Sequence, residues 1–202
     1  VKRFERLNAT FEVIAPADVP AYLPEMKRIS DEWLQNKTGG EKRFSLGFFD
    51  EEYLRRTPLA IIRCDGTPCA FANLWCGSER DEITVDLMRY PPHAPEGVME
   101  FLFIQMMLWG REQGYSWFNM GMAPLSGIES RRLAPLWNRL AGLAFRYGEN
   151  FYSFQGLRSY KQKFDPVWEP RYLASRGGIA LPRILTNVAT LVGGSTKAVL
   201  FR

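Results

Sequence analysis

The stretch over residues 81–122, DEITVDLMRYPPHAPEGVMEFLFIQMMLWGREQGYSWFNMGM, restricts the fold more than any other part of the chain. It reads as a strand, a proline-broken loop, a long helix and a second strand. Ile83, Val85 and Leu87 alternate with Thr84, Asp86 and Met88, the two-residue period of a strand. Pro91, Pro92 and Pro95 end it, and Glu96 is expected in the first turn of a helix reaching about Gln113, closed by Gly114. Val98, Phe101, Leu102, Gln105, Met106 and Trp109 keep near-turn spacing, while Phe103, Ile104, Met107 and Leu108 make the other side apolar too. Such a helix is predicted to be buried on most sides, packed on a sheet. Asp86 and Arg89 are an acid and a base embedded in the strand, and the chemistry is expected there.

The flanking sequence supplies the rest of a single sheet. Residues 11–14 form a short strand closed by Pro16, and residues 20–36 a helix with an apolar stripe of Leu23, Met26, Ile29, Trp33 and Leu34. Asp50 is placed to cap a short helix that Thr57 and Pro58 end. A meander follows, with strands at 59–64, 70–76 and 82–89 and a tight turn at Asp65 and Gly66. Downstream lie a strand at 117–120, a glycine-bearing loop at 121–127, a helix over 132–145 and a strand at 151–154. A short helix over 156–164, GLRSYKQKF, and a strand at 172–175 complete the fold. The fold class is therefore α/β (α+β): a mixed, mostly antiparallel sheet flanked by helices. Residues 1–180 form one domain, and residues 181–202 a C-terminal amphipathic tail.

Composition excludes several chemistries. The single histidine, His93, argues against multi-histidine metal sites, and Cys64, Cys69 and Cys76 lack both CxxC spacing and histidine companions. No GxSxG elbow is present. Catalysis then rests on Asp, Glu, Arg, Lys, Tyr or Ser. A net charge of +4 suits an anionic partner such as nucleic acid or phospholipid. No segment reaches the roughly 18 apolar residues of a membrane span. The start at Val1 is read as that of a piece excised from a longer protein.

Four segments, DLMRYPPHAPEGVMEFLF, GYSWFNMGMAPLSG, GENFYSFQGLRSYKQKFDPVWEPRYLA and GGIALPRIL, closely resemble the C-terminal cytosolic domain of MprF-type aminoacyl-phosphatidylglycerol synthases. The order of elements is similar to that of GNAT acyltransferases. The resemblance runs from about Phe44 onward. It implies a GNAT-like fold, the second of a tandem pair, whose first copy and membrane-embedded portion lie outside this chain. It implies transfer of a lysyl or alanyl group from charged tRNA to phosphatidylglycerol at the cytoplasmic membrane face. The lipid becomes less anionic, which confers resistance to cationic antimicrobial peptides. No cofactor is required, because the ester is already activated. Coenzyme A is disfavoured by the loop over residues 89–97, whose three prolines remove amide donors from a pyrophosphate cradle.

The implied reaction needs a home for the cationic amino group, a home for phosphate, and help with a proton. Asp86 is the candidate for the amino group or as base, with a structural ion pair to Arg89 as the alternative. Arg89 is the candidate for phosphate or the tRNA terminus. In a regular strand the two point to opposite faces, so a shared face requires a β-bulge between them. Arg158 and Lys161, one helical turn apart, are candidates for a phosphate, against a solvated helix face. Glu149 is a further candidate for the amino group, and Ser126 and Asn119 for the ester carbonyl. His93 is expected at the surface; Trp117, Phe151, Tyr152 and Phe154 are expected in the core rather than stacked on a terminal adenine. Two other readings remain open: a peptidoglycan-type aminoacyl-tRNA ligase, and a non-catalytic lipid- or tRNA-binding module.

Overall fold

The computed structural model describes residues 2–35, 48–123 and 154–172, with the single positions 183, 184 and 187. Five strands make one sheet in sequence order: β1 (Thr10–Ile14), β2 (Leu59–Cys64), β3 (Thr67–Cys76), β4 (Glu82–Arg89) and β5 (Trp117–Asn119). The pairs β1–β2, β2–β3 and β3–β4 are antiparallel, and β4–β5 is parallel. This is the mixed, mostly antiparallel sheet expected. The parallel pair arises because a 15-residue helix, Val98–Glu112, carries the chain back before β5 begins. The meander's first turn has Asp65 at φ 48° and Gly66 at φ 78°, left-handed conformations that suit a two-residue hairpin.

Helices cover both faces of the sheet. α1 (Lys2–Arg6), α2 (Leu23–Gln35) and α3 (Glu51–Leu54) precede the meander. Leu23, Met26 and Ile29 of α2 and Leu54 of α3 bury against Ile14, Leu59, Ile61, Phe71 and Leu87. Each such side chain contributes about 1.5–3 kcal/mol of burial. The polar side of α2 carries the pairs Lys27–Asp31 at 2.7 Å and Arg28–Glu32 at 2.6 Å. α3 starts as the sequence predicts, with the Asp50 carboxylate accepting the Tyr53 amide at 2.8 Å.

The long helix, α4 (Val98–Glu112), lies on the opposite face. A Cβ at Gly110 would stand 3.4 Å from Ile83, and Phe103 meets Phe118 of β5 edge-on at 6.0 Å. Glu96 falls outside this helix, because Gly97 at φ 84° separates it from the first turn, where Glu100 is the acid. Its partner is Arg3, at 3.2 Å. α1 was not legible in the sequence; five residues carry no periodicity, and its Phe4 is buried by stacking on Phe101 at 4.4 Å.

The chain divides into two compact units, Val1–Asn119 with Ser175–Arg202, and Met120–Ala174. In the second, α5 (Phe154–Gln162) begins two residues ahead of the predicted helix, so Phe154 opens a helix instead of ending a strand. The predicted helix over 132–145, residues 151–153 and residues 173–175 lie outside the described residues; Tyr172 carries no strand. Of the predicted tail helix, Arg183, Ile184 and Asn187 are described and helical. Among the described residues no helix is long and apolar enough to cross a membrane.

Candidate active site

The register of β4 against β3 decides which side chains share a face. Ala72 pairs with Met88 and Leu74 with Val85, so Asn73 alone stands opposite both Asp86 and Leu87. One extra residue on β4 is a β-bulge. Phe71, opposite Arg89, belongs to the cluster beneath α2, and Trp75 is opposite Thr84. Counting in from both ends by the two-residue period puts Thr84, Asp86, Leu87 and Arg89 all on the α2–α3 face. The bulge required to bring Asp86 and Arg89 onto one face is therefore present between them. The Leu87 amide that it releases donates to the Asn73 side chain at 2.8 Å, and Asn73 is fully buried.

Asp86 is half-buried and accepts a hydrogen bond from the Tyr53 hydroxyl of α3 at 2.5 Å. That hydroxyl in turn accepts the indole N–H of Trp75 at 2.7 Å. Burial pushes the Tyr53 phenol above its ordinary value, and the bond to Asp86 raises it further. Tyr53 is thus a donor held in its neutral form near pH 7, beside an acidic acceptor.

Arg89 takes a different environment. It is 6% exposed, its guanidinium lies 4.1 Å from the centre of the Trp33 ring, and it donates to the Met88 carbonyl at 2.8 Å. The partner of the Asp86 carboxylate is the Tyr53 phenol, so the alternative of a structural Asp86–Arg89 ion pair is not what holds this acid. His93 is exposed, with Nδ1 3.9 Å from Glu32, and stays apart from Asp86.

Toward the open end of the same face, β4 and β5 present Glu82 beside Trp117 and Thr84 beside Asn119. The Glu82 carboxylate accepts from Asn119 at 3.0 Å and from Thr84 at 3.1 Å. Asn119, considered for an ester carbonyl, therefore spends an amide proton on Glu82. A shallow cleft of about 260 Å³ is lined here by Trp75, Cys76, Gly77, Asp81, Glu82 and Thr84. Trp117 is 60% exposed and Trp75 48%. The core position expected for Trp117 is corrected: Phe118 turns inward to Phe103, which leaves its neighbour on the open face.

In the second unit, α5 carries Arg158 and Lys161 one turn apart, as expected, but with separate partners. The Arg158 guanidinium stacks on Trp168 at 3.4 Å. Lys161 is 6% exposed rather than solvated and donates to the Met122 carbonyl at 2.9 Å. Burial pulls its pKa down to about 8. Gly121, at φ 77°, lets the backbone pass this ammonium; a Cβ there would stand 3.6 Å from Nζ. Ser126 and Glu149 lie outside the described residues. Among the described residues no group of three or more His, Cys, Asp or Glu is arranged to hold a metal ion.

Residues 1–175 match the family model described as "Phosphatidylglycerol lysyltransferase, C-terminal". The chain belongs to this family. It is 45% identical over 196 residues to a phosphatidylglycerol lysyltransferase of Bacillus subtilis (strain 168), covering 96% of this chain and 23% of that protein. A phosphatidylglycerol lysyltransferase of Staphylococcus aureus (strain COL) is 39% identical over 193 residues, 95% of this chain and 23% of that one. Among solved structures, L-PGS from Bacillus licheniformis superposes with a TM-score of 0.79 at 45% identity, covering 97% of this chain and 59% of that chain. The chain thus spans about a quarter of the length of these curated relatives.

Within this lysyltransferase-family domain, the sequence offers Asp86 and Arg89 as candidates but not Tyr53, Trp75 and Asn73, which surround Asp86 and its bulge. Tyr53 sits in a four-residue helix and meets Asp86 across 33 positions. One signal was available: Asn73 is the amide-bearing residue inside the otherwise apolar run CAFANLW, and a buried amide there needs partners of its own.

Proposed function

We propose that this chain is the aminoacyl-transferring domain of a longer phosphatidylglycerol aminoacyltransferase, acting at the cytoplasmic face of the membrane on aminoacyl-tRNA and phosphatidylglycerol. The observation that carries the reading is Asp86, an acceptor fixed on the α2–α3 face by Tyr53, whose hydroxyl also meets the exposed indole of Trp75. A carboxylate next to aromatic faces suits an ammonium group. The family to which the chain belongs supports both the acyl group and the lipid.

In this reading Asp86 binds the α-ammonium of the aminoacyl ester. The glycerol hydroxyl oxygen attacks the ester carbonyl, and a new C–O bond forms as the bond to the tRNA ribose breaks. A neutral amine can take the hydroxyl proton and return it to the ribose oxygen, and Lys161, whose pKa burial pulls down to about 8, is the candidate for that role. Arg89 and Arg158, each laid on an indole ring within its own unit, are separate candidates for contacting a phosphate. Ser126 and Glu149 remain candidates for the carbonyl and the amino group. Residues 1–180 form the acyltransferase fold and 181–202 an appended tail, with a preceding GNAT-like fold and membrane portion in the longer protein. Loss of lipid negative charge then lowers the attraction for cationic peptides.

The test is to mix the complete protein with charged tRNA and phosphatidylglycerol vesicles and measure aminoacyl-lipid. Formation from lysyl-tRNA, and its loss in Asp86→Asn, is expected. Absence of product with both lysyl and alanyl donors overturns the reading.

A further inference from the structure

We infer that Tyr53 is a positioning residue for the transfer reaction, fixing the carboxylate of Asp86 through a one-way chain of hydrogen bonds that begins at Trp75. The inference rests on the proposed role of Asp86. An indole N–H can only donate, so at 2.7 Å from Trp75 Nε1 the Tyr53 oxygen must be the acceptor. A phenol has one proton of its own, and with its oxygen accepting from Trp75 that proton points to Asp86 Oδ2. The order Trp75 to Tyr53 to Asp86 is the one in which every contact has its own proton. It leaves Oδ2 occupied as an acceptor and Oδ1 to receive the ammonium of the substrate.

The supports of Tyr53 fit this task. Its backbone amide is held by the Asp50 cap at 2.8 Å, and its ring lies 6.0 Å from that of Trp75. The next residue, Leu54, is fully buried; its carbonyl accepts from Thr57, whose hydroxyl accepts from Asn73 at 3.3 Å. Asn73 holds the bulge from which Asp86 projects. Helix and bulge are thus joined twice, once through Tyr53 and once through Thr57 and Asn73.

The experiment uses the full-length protein with lysyl-tRNA and phosphatidylglycerol vesicles, comparing Tyr53→Phe, Asp86→Asn and the double variant, with Trp75→Phe as a second probe that keeps its ring. Tyr53→Phe is expected to lower kcat/KM by about 10- to 100-fold, chiefly by raising KM for the aminoacyl-tRNA. Trp75→Phe moves it in the same direction by less. In the Asp86→Asn background, Tyr53→Phe is expected to add nothing beyond about twofold, because the group it positions has gone. A Tyr53→Phe protein of unchanged kcat/KM beside a crippled Asp86→Asn overturns this inference alone, as do losses that multiply in the double variant. Full activity of Asp86→Asn overturns the Asp86 reading and this inference with it.

Discussion

The amide of Leu87, released from the strand ladder by the bulge, is accepted by the side-chain oxygen of Asn73 at 2.8 Å, in a position with no access to water. A buried amide without a partner costs about 1–3 kcal/mol, so this contact is what lets an irregular backbone exist in the middle of a sheet. Asn73→Ala is expected to destabilise the protein by about 2–3 kcal/mol in urea unfolding and to depress transfer, since Asp86 is the neighbouring bulge residue. A change under about 0.5 kcal/mol would show that the bulge needs no side-chain support.

Arg89 is seated on Trp33 at 4.1 Å and bonded to the Met88 carbonyl. A lysine keeps the charge but not the planar group that lies on the ring. Arg89→Lys should therefore cost about 1 kcal/mol of stability, and a similar loss should follow Trp33→Leu. The two losses combined should fall short of their sum, which a double-mutant cycle in denaturant measures.

Burial of Lys161 makes a prediction about pH. Its folded pKa is about 8, against 10.5 for an ordinary lysine. Between those values the unfolded chain binds a proton that the folded chain does not, so stability rises as pH climbs through this window and is lost as it falls back toward 8. The span corresponds to something on the order of 3 kcal/mol. Relative to Lys161→Met, the wild-type protein should gain stability between pH 8 and 10; parallel curves would show that the ammonium is not desolvated. Activity that depends on the neutral amine should climb toward pH 8 in the wild type.

Gly121 occupies φ 77° next to this lysine. Gly121→Ala carries the left-handed penalty of about 1–2 kcal/mol, while the added methyl meets Nζ only at ordinary contact distance. A fall in thermal stability with little change in the pH profile of activity is expected.

What the sequence revealed, and what it hid, has a common cause. The meander, the turn at Asp65 and Gly66, the Asp50 cap and the sheet-packed α4 all rest on local signals and all are present, but α4 is less enclosed than its apolar second side predicts: Leu108 is exposed and Ile104 and Met107 are only partly buried. The bulge left no trace in the apolar pattern, because burial alternates without a break from Glu82 to Arg89, and only the spacing of Asp86 and Arg89 called for it. Ile83 is buried against α4, whereas Leu87 is buried beneath α2 and Arg89 against Trp33. With helices on both faces, the slip from one face to the other is invisible in a pattern of buried and open positions. Tyr53 was hidden for another reason: its role exists only through contacts with Trp75 and Asp86, 22 and 33 positions away.

The spacing of Asp86 and Arg89 itself encodes the shape of the strand. Three residues is an odd interval, and an unbroken strand assigns odd intervals to opposite sides. An acid and a base that far apart can work on one side only where the chain has slipped by half a period between them. The number of residues joining Val85 to Met88 is then as much a part of the site as the residues themselves. Removing one would restore a regular ladder and send either Arg89 or the whole run from Glu82 to Val85 to the wrong face. In the proposed site the parity of β4 matters as much as its side chains, and a single-residue deletion should be worse tolerated than most substitutions.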